Sequence, residues 1–299
     1  MAAQLEVRTI VRAPAKVNLY LGVGAPRSDG YHDVDTVLQA LSLADEVVIA
    51  PAAELTVSTE PDIGLPAEEN LAHRAAVSLG IALGRTPQVA IDIIKRIPAQ
   101  AGLGGASADA AAVLVGLARH WGLGVSTAPV LREVAAGLGA DVPFFLGPGT
   151  ALLTGRGDVP VRPLPTPALE IALVRPPVPV PTGEAYAAFD RTPGEAPPGP
   201  EAMVRACESG DAERVAAALY NNLTDASVGL VSEVADALAS VREAPGVLDA
   251  TMAGSGSAVF AVCVSADAAA AVASAAAERG WWGATATTVS VGAAVTEGV

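Results

Sequence analysis

Lysine is nearly missing from this sequence: of 18 basic residues, only Lys16 and Lys95 are not arginine. Heavy use of Ala, Gly, Pro, Val and Arg reads as a GC-rich coding bias that converts generic surface lysine into arginine. A lysine that survives it, unless by chance, serves where a compact ammonium is needed, which a guanidinium cannot imitate. Positive charge is scarce altogether. The net charge of −14 argues against nucleic acid or an anionic membrane as partner, since both repel an acidic surface. Cysteine is limited to Cys207 and Cys263, with no CxxC or Cys/His spacing, so neither a disulfide framework nor a zinc site is indicated. Long apolar runs are also lacking: the richest, 258–277, is mostly alanine and is interrupted by Asp267. The first residues, MAAQLEVRTIV, alternate as a strand does and carry no signal-peptide pattern, so a reducing cytoplasm is the expected compartment.

What is present is enough for one large or two ordinary globular domains: 299 residues, 51% hydrophobic. Alternation predicts strands over 5–12, continuing through RAPAKVNLYLGV, and over 34–43, 46–50 and 89–97, with a turn at APRSDGYH. Helical spacing predicts helices over 70–83, after residue 107 and over 127–138. Proline-rich stretches at 162–167 and 175–200 flank the strand LEIALV and mark a change of organisation, with disorder expected only near 191–200. Helices near 201–220 and 226–242, strands at 258–264 and 284–291 and a helix near 266–279 then predict an α+β second domain with a mostly antiparallel sheet.

The segment IPAQAGLGGASADAA, 97–111, leaves a strand, crosses three glycines in four positions and enters a helix at Ser107. A glycine loop that opens a helix presents free amides and the positive end of the helix dipole to an anion. It fits neither the Walker spacing, which needs a following lysine, nor the dinucleotide fingerprint, nor the G-x-S-x-G elbow. Read alone, it is equally a tight turn with Ser107 as helix cap.

The whole pattern P-x-x-x-G-L-G-G-A-S-A-D-A-A resembles the second motif of the GHMP kinases, the family named for galactokinase, homoserine, mevalonate and phosphomevalonate kinases. APAKVNLYL at 13–21 is similar to the family's first motif and MAGSGSAVFA at 252–261 to its third. The GYH segment, EENLAHRAA at 68–76 and LGADVPFFL at 138–146 narrow the likeness to the branch that phosphorylates a cytidine-diphosphate-linked methylerythritol in non-mevalonate isoprenoid synthesis. The resemblance implies a two-domain α+β fold. Residues 1–162 would form a ribosomal-protein-S5-like ATP-binding domain and 163–299 a ferredoxin-like domain, with the active site in the cleft between. It further implies ATP and Mg²⁺ as cofactors, a small-molecule acceptor and a monomer or weak homodimer.

Carried over residue by residue, the loop Pro98, Ala99, Gln100, Ala101, Gly102, Leu103, Gly104, Gly105, Ala106, Ser107 and Ala108 would wrap the ATP phosphates, with Asn70 and Lys95 lining the same pocket. Asp141 would be the general base, otherwise a helix-end cap, with Lys16 beside it to neutralise charge on the transferred group. Asn18 shares a strand face with Lys16 and would bind the erythritol end, or else is an ordinary polar strand position. Tyr31, His32 and Tyr186 would hold the cytosine by stacking and edge hydrogen bonds, or else are ordinary filler. Gly254, Ser255 and Gly256 would approach the acceptor's diphosphate or the transferred group, and Ser107 is the loop hydroxyl able to reach phosphate or Mg²⁺. His73 and His120 carry no expected role. The chain departs from the usual G-G-G-S-S at Ala106 and Ala108 and from a common threonine at Ala253, leaving the backbone amides intact. Two alternatives stand beside this reading: a homoserine- or mevalonate-type kinase of the same family, and a catalytically dead nucleotide-binding paralogue.

Overall fold

The computed structural model describes residues 8–191 and 195–296. The strand onset expected at 5–7 and the centre of the segment expected to be disordered, 192–194, lie outside them. The chain starts with two long strands, β1 (Thr9–Pro26) and β2 (His32–Pro51), paired antiparallel across a turn in which Asp29 accepts from the Tyr31 amide. Where alternation suggested two strands over 34–50 there is one. The extra residues are absorbed by a bulge, because Pro14 pairs with Ala44 but Lys16 with Ala40. Bulges re-aim a side chain, and this one adjoins Lys16.

There follow β3 (Thr56–Glu60), α1 (Leu71–Leu83), β4 (Val89–Ile94), α2 (Gly105–His120), α3 (Ala128–Leu138), β5 (Thr150–Thr154) and β6 (Val159–Pro163). The next elements are β7 (Glu170–Arg175), α4 (Thr182–Arg191), α5 (Glu201–Ser209), α6 (Ala212–Ala217), β8 (Tyr220–Asn221), α7 (Thr224–Leu230) and α8 (Glu233–Arg242). The chain ends with β9 (Val247–Met252), β10 (Val259–Cys263), α9 (Ala266–Glu278), β11 (Trp282–Thr287) and β12 (Ala294–Thr296). Strands β3, β5 and β6 are additions to the sequence reading, as is α4 inside the proline-rich stretch. The expected 201–220 helix is broken at Gly210, which is left-handed at φ 70°, and restarts where Asp211 accepts from the Glu213 and Arg214 amides. The expected 226–242 helix is likewise two helices.

The first sheet runs β12-β1-β2-β4-β3, with β5 and β6 continuing from β2 and β8 added to β1. The second is antiparallel, β11-β7-β10-β9, as its spacing predicted. Thus β8 and β12 carry the C-terminal half back onto the first sheet. The core of the first unit forms where α1 and α2 bury Ala75, Leu79, Val113, Leu114 and Leu117 against β1, β2 and β4. Among the described residues no helix is long and apolar enough to cross a membrane, and Cys207 and Cys263 are buried and unpaired.

Gly116 sets how closely α2 lies on the sheet: a Cβ there would stand 2.5 Å from Ile49 Cδ1 and 3.0 Å from Val11 Cγ2. Gly116→Val is therefore expected to cost about 1–3 kcal/mol through overpacking, read as a lower urea midpoint at an unchanged m-value.

Candidate active site

Lys16 and Asn18 project from the same face of β1. Lys16 Nζ donates to Asn18 Oδ1 at 2.9 Å and lies 3.3 Å from Asp141 Oδ2. Asn18 Nδ2 donates to Thr36 Oγ1 at 2.9 Å, and that hydroxyl donates to the Tyr20 carbonyl at 2.7 Å. Every member of this relay is fixed by the next, back to the backbone, so the ammonium has little freedom to wander. Thr36 was not foreseen, because its role arises from the β1–β2 register and not from any local pattern.

Asp141 stands in the turn after α3, anchored by the apolar residues that follow it: Val142, Phe144 and Phe145 are buried. Its own side chain stays about one-third exposed. Facing it is the first glycine loop. The helix begins two residues earlier than expected, because Gly104, at φ 74°, turns the chain and caps α2 without a side chain. The opening amides of α2 are consequently left without a side-chain cap, and Ser107 is a first-turn residue. A Cβ on Gly104 would meet Lys16 Cγ at 2.8 Å and Phe145 Cζ at 3.1 Å.

The second glycine loop, 253–258, packs directly on the first. Ala258 N donates to Ala101 O at 3.1 Å, and Lys16 N donates to Leu103 O at 2.9 Å. Asn221 holds the second loop by donating from Nδ2 to Met252 O and Gly254 O. Ser227 Oγ donates to Ser255 O, and Thr182 Oγ1 lies 2.9 Å from Ser255 Oγ. The adjacent Asn222 pairs through both its amide atoms with the Val23 backbone. Together these groups wall a cavity of about 280 Å³ lined by Lys16, Asn18, Thr36, Gly102, Gly104, Ser107, Asp141, Arg156, Thr182, Tyr186, Gly254 and Ser255. A larger opening of about 630 Å³ between α4 and α7 has neither the glycine loops nor the Lys16–Asp141 pair on its walls.

A lysine–carboxylate pair between two glycine loops is equipment for transfer of an anionic group, and comparisons with known proteins agree. The family model for the GHMP kinases N terminal domain matches residues 70–149, and that for the GHMP kinases C terminal matches 203–280. The chain belongs to the GHMP kinases. It is 45% identical over 250 residues to 4-diphosphocytidyl-2-C-methyl-D-erythritol kinase of Pelotomaculum thermopropionicum, covering 83% of this chain and 86% of that protein. It is 44% identical over 273 residues to the enzyme of the same name from Nocardia farcinica, covering 88% of each. A crystal structure of 4-(cytidine 5′-diphospho)-2C-methyl-D-erythritol kinase superposes with a TM-score of 0.77 at 36% identity, over 94% of this chain and 99% of that one.

In this GHMP kinase the alanines of the glycine loop are accommodated simply: Ala106 and Ala108 are ordinary helical residues of α2. The strained position is Gln100, the non-glycine residue held at φ 54° at the loop's exposed start. Asn70 and Lys95, expected to line the nucleotide pocket, each hold a protein partner in the structure. Asn70 caps α1, its Oδ1 accepting from Ala72 N at 2.9 Å. Lys95 lies beneath the glycine loop, with Nζ 2.5 Å from Asp45 Oδ2 and 2.6 Å from Asp109 Oδ2. Asp45 also accepts the Arg96 and Ile97 amides, whereas Asp109 Oδ1 is buried with no hydrogen-bond partner among the described residues. At the rim, His32 Nε2 is 2.7 Å from Asp190 Oδ1 and its ring packs 5.1 Å from Tyr186, while Tyr31 is half exposed. Gly256 turns behind the cavity, against Met252.

The Lys95 ammonium is held above its ordinary pKa: burial works against the charge, but Asp109 and Asp45 outweigh burial. Burial, reinforced by Asp45 and opposed by Lys95, pushes Asp109 up to about 7 from 3.8. A folded pKa above the unfolded one means that the native state holds the proton longer, so this group lowers stability as pH rises from about 4 to 7. Asp109→Asn removes that titration. The variant's melting temperature should fall less than the wild type's between pH 5 and pH 7.5, and identical slopes would remove Asp109 as the cause.

Proposed function

We propose that this GHMP kinase transfers the γ-phosphoryl group of ATP directly to the 2-hydroxyl of 4-(cytidine 5′-diphospho)-2-C-methyl-D-erythritol, a step toward isoprenoid precursors. The Lys16–Asp141 pair, 3.3 Å apart on a cavity walled by both glycine loops, carries the proposal, and identities of 44–45% over most of the chain support the choice of acceptor. Asp141 accepts the hydroxyl proton as the oxygen attacks phosphorus. Lys16 supplies positive charge to the group in flight, and Asn18 orients the sugar alcohol. The uncapped amides at the start of α2 receive donor phosphate oxygens.

Ser107, whose side chain lines the cavity beside the opening of α2, is the hydroxyl that fits a magnesium ion, which characteristically takes few protein oxygens and completes its shell from phosphates and water. When bound, such an ion neutralises phosphate charge. Among the described residues no three acidic, histidine or cysteine side chains are grouped so as to hold a metal ion. Residues 1–162 present the donor loop, the reacting pair and Asn18, and 163–299 add Thr182, Tyr186, Gly254 and Ser255 to the cavity wall.

Two measurements test this reading. ADP release with ATP, Mg²⁺ and the cytidylyl acceptor is expected, and turnover with homoserine or mevalonate instead would sink the substrate assignment. Asp141→Asn should lower kcat by about 10²–10⁴ with ATP affinity little changed. Full activity in that variant would remove Asp141 as the base.

A further inference from the structure

An acceptor carrying two phosphates meets few positive charges in this cleft. Among the residues lining it the cations are Lys16 and Arg156, and Lys16 already faces Asp141. Arg156 lies in the Gly155–Gly157 turn after β5, where the Gly155 carbonyl accepts from Val34 N of β2 at 2.7 Å. Its guanidinium is fixed on two sides. Asp158 Oδ2 accepts from Nε at 3.0 Å and from Nη2 at 2.7 Å, while Oδ1 accepts the Arg156 amide at 3.0 Å. The central guanidinium carbon stands 4.8 Å from the centroid of the Tyr31 ring.

The Asp158 contacts occupy one edge of the fork, and Nη1 makes no hydrogen bond among the described residues. The side chain remains one-third exposed. A surface ion pair with Asp158 accounts for its stiffness but not for its place on the cleft wall, over the one exposed aromatic of the rim. A guanidinium held this way keeps its charge at any working pH and loses little rotamer freedom on binding a phosphate oxygen.

We propose that Arg156 determines acceptor specificity: its free edge binds the acceptor's diphosphate while its stack on Tyr31 steadies the face that meets the base. The inference rests on the acceptor reading above. It does not follow from the three family motifs, since Arg156 lies outside all of them.

Competition binding with cytidine and with cytidine 5′-diphosphate, alongside steady-state kinetics, separates the possibilities. In Arg156→Ala, cytidine 5′-diphosphate should bind about 10- to 100-fold more weakly, with cytidine little changed. KM for the acceptor should rise by a similar factor, with KM for ATP and the melting temperature unaltered. Arg156→Lys should recover part of the loss, since it keeps charge but not the fork. Equal weakening of both ligands would reduce Arg156 to a prop for Tyr31 and overturn the proposal, as would unchanged binding of the diphosphate. Wild-type protein that binds neither cytidine compound and turns over another alcohol would instead overturn the acceptor reading, and this inference with it.

Discussion

The site depends on two stretches of backbone touching where a side chain would normally intervene. A Cβ on Gly102 would stand 2.0 Å from the Ala253 carbonyl oxygen, and one on Gly254 would stand 3.2 Å from the Gly102 carbonyl oxygen and 3.4 Å from Lys16 Nζ. Both glycines are also left-handed, at φ 76° and 56°. Conformation and space therefore demand the same residue at each point. With that contact made, the loops close over the Lys16 stem, and its ammonium reaches Asp141 from a buried base. Asn221 converts the contact from permitted to held, because a buried amide that already satisfies two carbonyls has no better place to go.

The parts of this arrangement that were legible in the sequence are those set by local geometry. Period-two alternation put Lys16 and Asn18 on one face, and a glycine loop before an apolar 3.6-residue pattern marked α2. The scarcity of lysine singled out both ammonium groups, yet it could not say what each one meets. Lys95 answers carboxylates 50 residues before it and 14 after it, and only the β2–β4 register and the docking of α2 bring those together. Asp109 reads in isolation as one polar residue of an amphipathic helix. Asn221 and Asn222 are conspicuous as a dipeptide, but their work is done on segments around residues 23 and 254. Helix α4 escaped notice because prolines on both sides obscure ten residues of helix. The return of β12 to β1 had no local signature whatever.

The Asp45–Lys95–Asp109 cluster shows why a charge under a loop is not interchangeable with a charge in it. It holds two carboxylates and one ammonium, and Asp45 is satisfied by two amides in addition to Lys95. The surplus negative charge therefore falls on Asp109, one turn inside the helix whose opening amides face the cleft. Lys95 thus fastens the end of β4 to α2 from below. Breaking a buried group of this kind from one side costs far more than its net worth, which is a reason for such a lysine to persist where others are replaced.

A chain of net charge −14 that handles two polyphosphates has to solve attraction locally. The overall field repels an anion, but screening limits that repulsion to about 8 Å at physiological salt, so what counts is the charge met on contact. On the proposed reading the contacts are backbone amides at the start of α2, Lys16 between the loops and Arg156 at the rim. Amides add no net charge, and each of the two cations has a carboxylate at its back, Asp141 or Asp158. These carboxylates keep the empty cleft from being strongly positive, and they fix both cations before any ligand arrives. Discrimination then comes from direction rather than from field strength. An anion is held where the fork and the amides point, and an anion placed elsewhere meets an acidic surface.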